Sequence, residues 1–252
     1  MFRFVQNKCE HLKKAGHRQT LCAGHTYLML ESLTLSNFPE KQCRILREMS
    51  STRPRIWLLQ KNGVSAIIKD FSSNRYLYRN TVGRFLIWRE ARAYRKTGHI
   101  QGVPSLYRVI DGLALATEYI PGKDLGQIKK GARFPDTFFD RLKNLVDKVH
   151  AAGVAHCDLK RKTNVILGDD NLPYIIDWGA SIFSNEFRLP LMNLIYRRFI
   201  ADDYMAVTKI KLHYVPNQVS EKERLRYFRR SPVETAIRRI RDMLRNALQK
   251  IA

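Results

Sequence analysis

Short apolar runs separated by turn residues dominate the chain from residue 55 onward. Residues 55–60 (RIWLLQ) and 64–70 (VSAIIKD) are two such runs, and 61–63 (KNG) lies between them. Because Asn-Gly favours the positive backbone φ angles of a tight turn, this segment predicts a β-hairpin. The same argument predicts a second hairpin around Asp111-Gly112, which also lies between two apolar runs.

Two longer segments repeat apolar residues at helical spacing. Residues 81–97 predict a helix with an inward stripe of Leu86, Ile87, Ala91 and Tyr94. A second helix is predicted from about residue 138, and Gly153 would end it. This second stripe consists of Phe138, Phe139, Leu142, Leu145, Val146 and Val149.

The order of these elements predicts the fold class. Strands come first and helices follow, and Pro121-Gly122 lies between them as a hinge. This order is typical of an α+β fold with a small β-rich N-lobe and a mostly helical C-lobe. We expect an N-terminal extension over 1–50, the N-lobe over 51–120, and the C-lobe with a basic helical tail over 121–252.

Composition narrows the class of protein and of partner. The 252 residues include 45 Lys+Arg and 23 Asp+Glu, a net charge of +22, and 44% are hydrophobic. This balance excludes collagen-like and wholly disordered chains. No apolar run reaches the roughly 18 residues that a transmembrane helix needs, and no secretory signal is evident, so we expect a cytoplasmic protein. The charge predicts an anionic partner, such as a nucleotide, a nucleic acid or a membrane surface.

The cysteines do not form a disulfide scaffold, since the chain has only four. Two of them, Cys9 and Cys22, lie near His11, His17 and His25. Cysteine and histidine are zinc ligands, but this spacing matches no strong zinc motif. We therefore interpret the cluster as incidental and keep a zinc site as the alternative.

Five polar residues stand at positions where an ordinary surface side chain is not expected. Asp158, Asn164 and Asp177 flank a predicted hairpin made of two very short apolar runs, 165–167 and 174–176. Their oxygen atoms suit Mg²⁺ together with substrate phosphates. Lys69 lies at the end of an apolar strand and needs a partner, and Glu90 is the one carboxylate in residues 71–108.

In this order and spacing, the residues resemble the signature of the protein-kinase-like superfamily. The resemblance covers residues 55–185, and no long activation loop follows Asp177. It is closest to the compact bacterial branch near RIO-type atypical kinases and lipopolysaccharide-core (Kdo-type) kinases. The segments that carry it are Val64–Lys69, Glu90, Thr117–Ile120, His156–Lys160, Asn164 and Ile176–Gly179.

The resemblance implies that ATP is a cofactor. Lys69 would hold the α- and β-phosphates, and Glu90 would orient Lys69. Thr117 would lie at the back of the adenine pocket. The backbone from Glu118 to Ile120 would bond the adenine edge.

The resemblance also implies phosphoryl transfer to a hydroxyl group with Mg²⁺. Asp158 would accept or orient the proton of the acceptor hydroxyl, and Lys160 would contact the γ-phosphate. Asn164 and Asp177 would bind the metal ion. These roles fit a reaction that depends mainly on positioning and charge stabilisation.

The sequence departs from the family pattern in two places. Residues 48–55, which stand where the glycine-rich loop is expected, contain no glycine, and the segment between Asp158 and Asn164 is one residue too long. A catalytically inactive pseudokinase that binds a nucleotide or a partner is therefore the alternative.

The acceptor is left open between two classes. One is a sugar hydroxyl of a lipopolysaccharide precursor, with the protein lying peripherally on the inner membrane. The other is a protein Ser/Thr in a RIO-like manner, with RNA as a further partner of the basic surface. Residues 187–200 and 221–252 are basic and amphipathic, so they predict either membrane contact or packing on the C-lobe.

Overall fold

The computed structural model describes residues 33–61, 63–184, 186 and 190–228. Several predicted features lie wholly or partly outside these residues. They are the N-terminal extension 1–50 with its cysteine and histidine cluster, the turn residue Asn62, and the amphipathic segments 187–200 and 221–252.

A five-stranded antiparallel sheet forms the N-lobe, in the order β1-β2-β3-β5-β4. The strands are β1 (Cys43–Arg47), β2 (Arg55–Lys61), β3 (Val64–Asp70), β4 (Leu106–Ile110) and β5 (Ala114–Glu118). Both predicted hairpins are confirmed, as β2–β3 and β4–β5. The strand β1, within the segment 1–50, was not predicted.

The turn between β4 and β5 shows why the second hairpin could be predicted from the sequence. Asp111 has φ 50° and Gly112 has φ 69°. Two successive residues with positive φ make a turn whose twist matches the flanking strands. The Asp111 carboxylate also accepts a bond of 2.8 Å from the N–H of Leu35.

The predicted helix over 81–97 is present, and it continues a longer helical segment. A single turn at Tyr76–Tyr78 and a π-helical turn at Arg79–Gly83 lead into α1 (Arg84–Thr97). The buried face of α1 includes the predicted Ile87, Ala91 and Tyr94. Among these apolar residues lies one buried carboxylate, Glu90, which faces the sheet.

The described part of the C-lobe contains five short strands. The strands β6 (Gly122–Asp124), β8 (Val165–Gly168) and β9 (Pro173–Ile175) form one sheet in the order β6-β8-β9. The strands β7 (Val154–Ala155) and β10 (Ile182–Phe183) pair with each other. The predicted β8–β9 hairpin is confirmed, and it brings the residues before β8 close to those after β9.

Three helices complete the described part of the C-lobe: α2 (Phe138–Ala151), α3 (Pro190–Tyr214) and α4 (Glu221–Phe228). All six residues of the predicted α2 stripe are buried. Gly153 follows the helix with φ 72°, and its N–H donates to the carbonyl of His150 at 2.8 Å. Gly153 therefore ends α2 as predicted, because a left-handed residue suits glycine.

Two hydrophobic clusters stabilise the molecule. The larger one joins α1, α2 and α3 to the C-lobe strands and contains Trp178 and Phe138. The smaller one covers the opposite face of the N-lobe sheet and contains Trp57 and Leu33. Within the described ranges, no helix is long and apolar enough to cross a membrane.

Candidate active site

Lys69 forms two short ion pairs, one within the N-lobe and one to the C-lobe. Its Nζ atom lies 2.6 Å from Glu90 Oε2 on α1 and 2.7 Å from Asp177 Oδ1, which follows β9. Lys69 comes from β3, so three separate elements meet at one ammonium group. The structure thus gives Lys69 the carboxylate partner that its place in an apolar strand requires.

The charges in this triad stabilise one another. Burial alone would lower the pKa of Lys69, but the Asp177 and Glu90 carboxylates raise it above its usual value. Burial raises the pKa of Glu90, and Lys69 opposes that rise. The Lys69 charge lowers the pKa of Asp177 to about 2. Asp177 is therefore ionised at neutral pH, as a ligand for a cation must be.

A second ion pair on α1 lies beside the first. Arg89 Nη2 lies 2.7 Å from Glu186 Oε1 and 2.8 Å from Glu186 Oε2, and Arg89 Nε donates to the carbonyl of Ser181 at 2.8 Å. Both charged side chains are largely buried, at 12% and 8% exposure. Two consecutive residues of α1, Arg89 and Glu90, are thus bonded to different segments of the chain.

Asp158 lies in the loop between β7 and β8. Asn164 Nδ2 donates to the Asp158 carbonyl at 3.0 Å and approaches its Oδ2 at 3.4 Å. Arg161 Nε lies 3.1 Å from the same Oδ2. Burial raises the pKa of Asp158, and Arg161 opposes this. A carboxylate with a raised pKa accepts a proton more readily than an exposed one.

His156 supports this loop through both ring nitrogens. Its Nδ1 accepts a bond of 3.3 Å from the N–H of Asp158, so its Nε2–H donates to the carbonyl of Ile176 at 2.9 Å. The ring also packs edge-on against Trp178, with 4.7 Å between ring centroids. His156 therefore connects the Asp158 segment to the Asp177 segment.

The backbone is strained at Asp177 and at Cys157, the residue before Asp158. Cys157 has φ 68° and Asp177 has φ 65°. Residues other than glycine seldom adopt this left-handed conformation, which persists only where the surrounding contacts impose it. Such strain is concentrated at functional sites.

Asp203 on α3 holds the backbone at Cys157, and the sequence did not reveal it. Its Oδ2 accepts the N–H of His156 at 2.7 Å, and its Oδ1 accepts the N–H of Cys157 at 2.9 Å. Oδ2 also lies 3.0 Å from His150 Nε2. Asp203 is only 1% exposed. The available signal was an acidic residue inside an apolar helical segment, which needs a partner when buried.

Lys160, the predicted γ-phosphate contact, lies beside another helix in this structure. Its Nζ is 3.9 Å from Asp202 Oδ1 on α3. The cation that contacts Asp158 is instead Arg161, the next residue along the chain.

The predicted adenine-binding segment follows β5. The Glu118 N–H donates to the Ser105 carbonyl at 2.9 Å, and its carboxylate accepts the Ser105 N–H at 3.0 Å. The N–H of Tyr119 donates to the Ser65 carbonyl at 3.3 Å. These two amide groups are therefore engaged within the protein. Thr117 and Ile120 are both buried.

The residues present fit a magnesium ion held jointly with a nucleotide. In the part of the chain that the structure describes, no three His, Cys, Asp or Glu side chains gather as a metal site. Asp177 supplies a carboxylate of low pKa. Asn164 uses its Nδ2 for Asp158, so its Oδ1 is the atom suited to a cation. Two protein oxygens leave most of the octahedral positions to phosphates and water, as Mg²⁺ prefers.

Comparison with known proteins identifies the fold. No protein-family model matches the chain. The Rio2 kinase from Chaetomium thermophilum has a TM-score of 0.53 at 13% identity, over 76% of this chain and 64% of that one. Its ADP/Mg²⁺-phosphoaspartate complex gives 0.53 at 14% identity, over 76% and 62%.

The chain has the protein-kinase-like fold. At these identities the likeness concerns the fold alone. Among curated proteins, Serine/threonine-protein kinase D of Synechocystis sp. is 29% identical over 100 residues, which are 38% of this chain and 20% of that protein. The chain thus spans less than two thirds of the length of each of these matched chains. The kinase-like fold places Lys69, Glu90, Asp158, Asn164 and Asp177 around the junction of the two lobes.

Proposed function

We propose that the protein is an ATP- and Mg²⁺-dependent phosphotransferase that moves the γ-phosphate to an acceptor hydroxyl. The contact of Lys69 with both Glu90 and Asp177 carries this proposal. An ammonium group held between carboxylates from both lobes is suited to phosphate binding beside a cation. The resemblance to kinases, in sequence and in fold, supports the same reaction.

We propose a role for each residue of the site. Asp158 accepts or orients the proton of the acceptor hydroxyl, and its raised pKa suits that role. Lys69 holds the phosphates of ATP, and Glu90 keeps Lys69 in place. Asn164 and Asp177 would hold Mg²⁺, which neutralises the charge that develops on the phosphate oxygens.

For the acceptor we propose a protein Ser/Thr hydroxyl or a lipopolysaccharide-core sugar hydroxyl. The partial identity to a serine/threonine kinase favours the protein acceptor. The net charge of +22 suits either an acidic protein or an anionic membrane surface. A screen of both acceptor classes with radiolabelled ATP decides between them.

A pseudokinase is the second candidate, and the connection between β1 and β2 favours it. Residues 48–54 contain no glycine. Backbone amides that approach phosphate closely are usually provided by glycine-rich loops. The alternative predicts a folded protein that shows no phosphoryl transfer.

The first test is calorimetric titration of ATP with and without Mg²⁺. We expect magnesium-dependent binding, and we expect Asp177→Asn to weaken it at least tenfold. Asp169→Asn removes an exposed carboxylate in the β8–β9 turn and serves as the matched control. Equal binding by the Asp177→Asn and control variants would show that Asp177 is no metal ligand. Absence of binding at millimolar ATP would overturn the proposed function.

A further inference from the structure

The turn between β1 and β2 uses its backbone groups internally. The N–H of Ser50 donates to the Arg53 carbonyl at 3.1 Å, and the N–H of Arg53 donates to the Ser50 carbonyl at 3.3 Å. Pro54 has no N–H group. Three of the seven residues from 48 to 54 therefore have no amide to offer a phosphate.

Two buried side chains fix this turn from the adjoining segment. Asn74 Nδ2 approaches the carbonyls of Ser50, Ser51 and Arg53 at 2.7, 3.3 and 3.3 Å. Tyr78 donates its hydroxyl to the Thr52 carbonyl at 2.9 Å. A turn held at four consecutive residues is not free to wrap around a ligand as a glycine loop does. Charge for a phosphate must therefore come from side chains.

The strand register places one arginine on the same face as Lys69. Arg47 pairs with Ile56 across β1 and β2, and Ile56 pairs with Lys69 across β2 and β3. Directly paired residues of antiparallel strands share a face, so these three side chains form a row. Arg47 is two strands, or about 10 Å, from Lys69 along that row.

The charges near Arg47 belong to the candidate active site. Partial burial lowers the pKa of Arg47, the Asp177 charge raises it, and the Arg53 and Arg161 charges lower it. The Arg47 residue is exposed to solvent, and its Nη2 donates a long bond of 3.5 Å to the Pro54 carbonyl.

Two other cations of the site are already engaged. Lys69 is bonded to Glu90 and Asp177, and Arg161 is paired with Asp158. A nucleoside triphosphate carries more negative charge than Lys69 alone can balance while Lys69 is paired with Glu90 and Asp177. Arg47 lies on the same face of the sheet as Lys69 and within the electrostatic influence of Asp177, and its guanidinium has further N–H donors for a phosphate.

We propose that Arg47 binds the phosphate chain of the nucleotide directly and replaces the missing glycine-rich loop in that role. This inference rests on the proposed function, because it assumes that ATP binds in the cleft. A guanidinium forms two parallel bonds to phosphate oxygens and keeps its charge at any physiological pH. The resulting cradle is made of side chains rather than backbone amides.

The test compares ATP with adenosine on the whole 252-residue chain. We expect Arg47→Gln to weaken Mg·ATP binding about 10- to 100-fold in calorimetry, which is the effect of losing a charged hydrogen bond. Adenosine binding should stay unchanged, since adenosine has no phosphate. Arg47→Lys keeps the charge and should recover part of the ATP affinity.

The matched control is Arg55→Gln. Arg55 precedes Ile56 and so lies on the opposite face of β2, where it pairs with Glu48 and stacks 5.2 Å above Trp57. We expect it to bind ATP like the natural protein.

Each other outcome has a separate meaning. If Arg47→Gln binds ATP with the same affinity as the natural protein, the role of Arg47 is overturned and the proposed function still stands. An equal loss of ATP and adenosine affinity would also overturn it, because the effect would then be structural. Failure of the natural protein to bind ATP would overturn both proposals.

Discussion

At the scale of single residues, Asp203 sets the shape of the loop that carries Asp158. It accepts two backbone N–H groups, from His156 and Cys157, and it contacts His150. The left-handed conformation of Cys157 exposes its N–H to this carboxylate. A positioning residue on α3 thus holds the loop without itself entering the proposed reaction.

We predict that Asp203→Ala lowers the free energy of unfolding by about 3 kcal/mol, because two buried N–H groups lose a charged acceptor. Denaturant titration measures this loss. Asp203→Asn keeps one oxygen acceptor and should lose less. Asp140→Ala, at an exposed position on α2, is the control. Full stability of Asp203→Ala would mean that the loop does not depend on these bonds.

We also expect Asp203→Ala to lower the rate of phosphoryl transfer more than it lowers ATP affinity. The change reaches Asp158 through the loop, whereas Lys69 and Glu90 stay in place. A kinetic assay with separate kcat and KM values distinguishes this outcome. An equal effect on both would indicate general disruption of the cleft.

At the scale of elements, the β1–β2 turn depends on Asn74. The side chain is 4% exposed and donates to three carbonyls of the turn. This turn contains Arg53 and directly follows the strand that ends at Arg47. Its position therefore influences where both guanidinium groups lie.

We predict that Asn74→Ala speeds amide hydrogen exchange in residues 50–53 and lowers the free energy of unfolding by about 1 to 3 kcal/mol. The reason is that buried carbonyls lose their donor. Hydrogen exchange with mass spectrometry resolves the segment. Asn80→Ala removes two exposed bonds, one donated to the Tyr76 carbonyl and one accepted from Arg84 Nε, and serves as the control. Unchanged exchange in residues 50–53 would show that the turn is stable by itself.

The elements differ in how far the sequence alone predicts them, for physical reasons. The two N-lobe hairpins and α2 follow from strict apolar spacing and from glycine at positive φ. Strand β1 (Cys43–Arg47) was missed because its Arg44 and Arg47 interrupt the apolar pattern. A strand with charged residues on its cleft face resembles a loop in sequence.

The residues of the candidate site also differ in how far the sequence predicts them. Lys69, Glu90, Asp158, Asn164 and Asp177 were singled out because motif order is a property of sequence. Asp203 belongs to no short motif, and its partners lie 46 and 47 residues away in the chain. The contact of Lys160 with Asp202 likewise depends on how α3 packs against the loop, and the spacing of residues in the sequence does not specify that packing.

At the scale of the whole molecule, the net charge of +22 is combined with exposed aromatic residues. Phe85 and Trp88 on α1 are each 50% exposed. Arg89 lies 5.3 Å above the Phe85 ring, and Arg92 lies 5.5 Å above the Trp88 ring. Aromatic and basic side chains together are typical of surfaces that bind anionic membranes.

We predict that the protein sediments with phosphatidylglycerol vesicles at low salt and not with phosphatidylcholine vesicles. Binding should weaken as salt rises, because exposed charges are screened. Trp88→Ala should reduce sedimentation, and Tyr107→Phe on β4 is the aromatic control. Equal sedimentation with both lipids would exclude an electrostatic membrane contact, and salt-sensitive RNA binding alone would favour the nucleic-acid partner.

Helix α1 is held at two consecutive residues, Arg89 and Glu90, and each bond reaches a different part of the molecule. Many kinases are switched off by an outward swing of the corresponding helix, which separates the lysine from its glutamate. Here that swing would break two largely buried ion pairs at once. For the proposed enzyme, folding itself would therefore complete the catalytic arrangement. Cellular control would then act on how much protein is made and how much substrate reaches it.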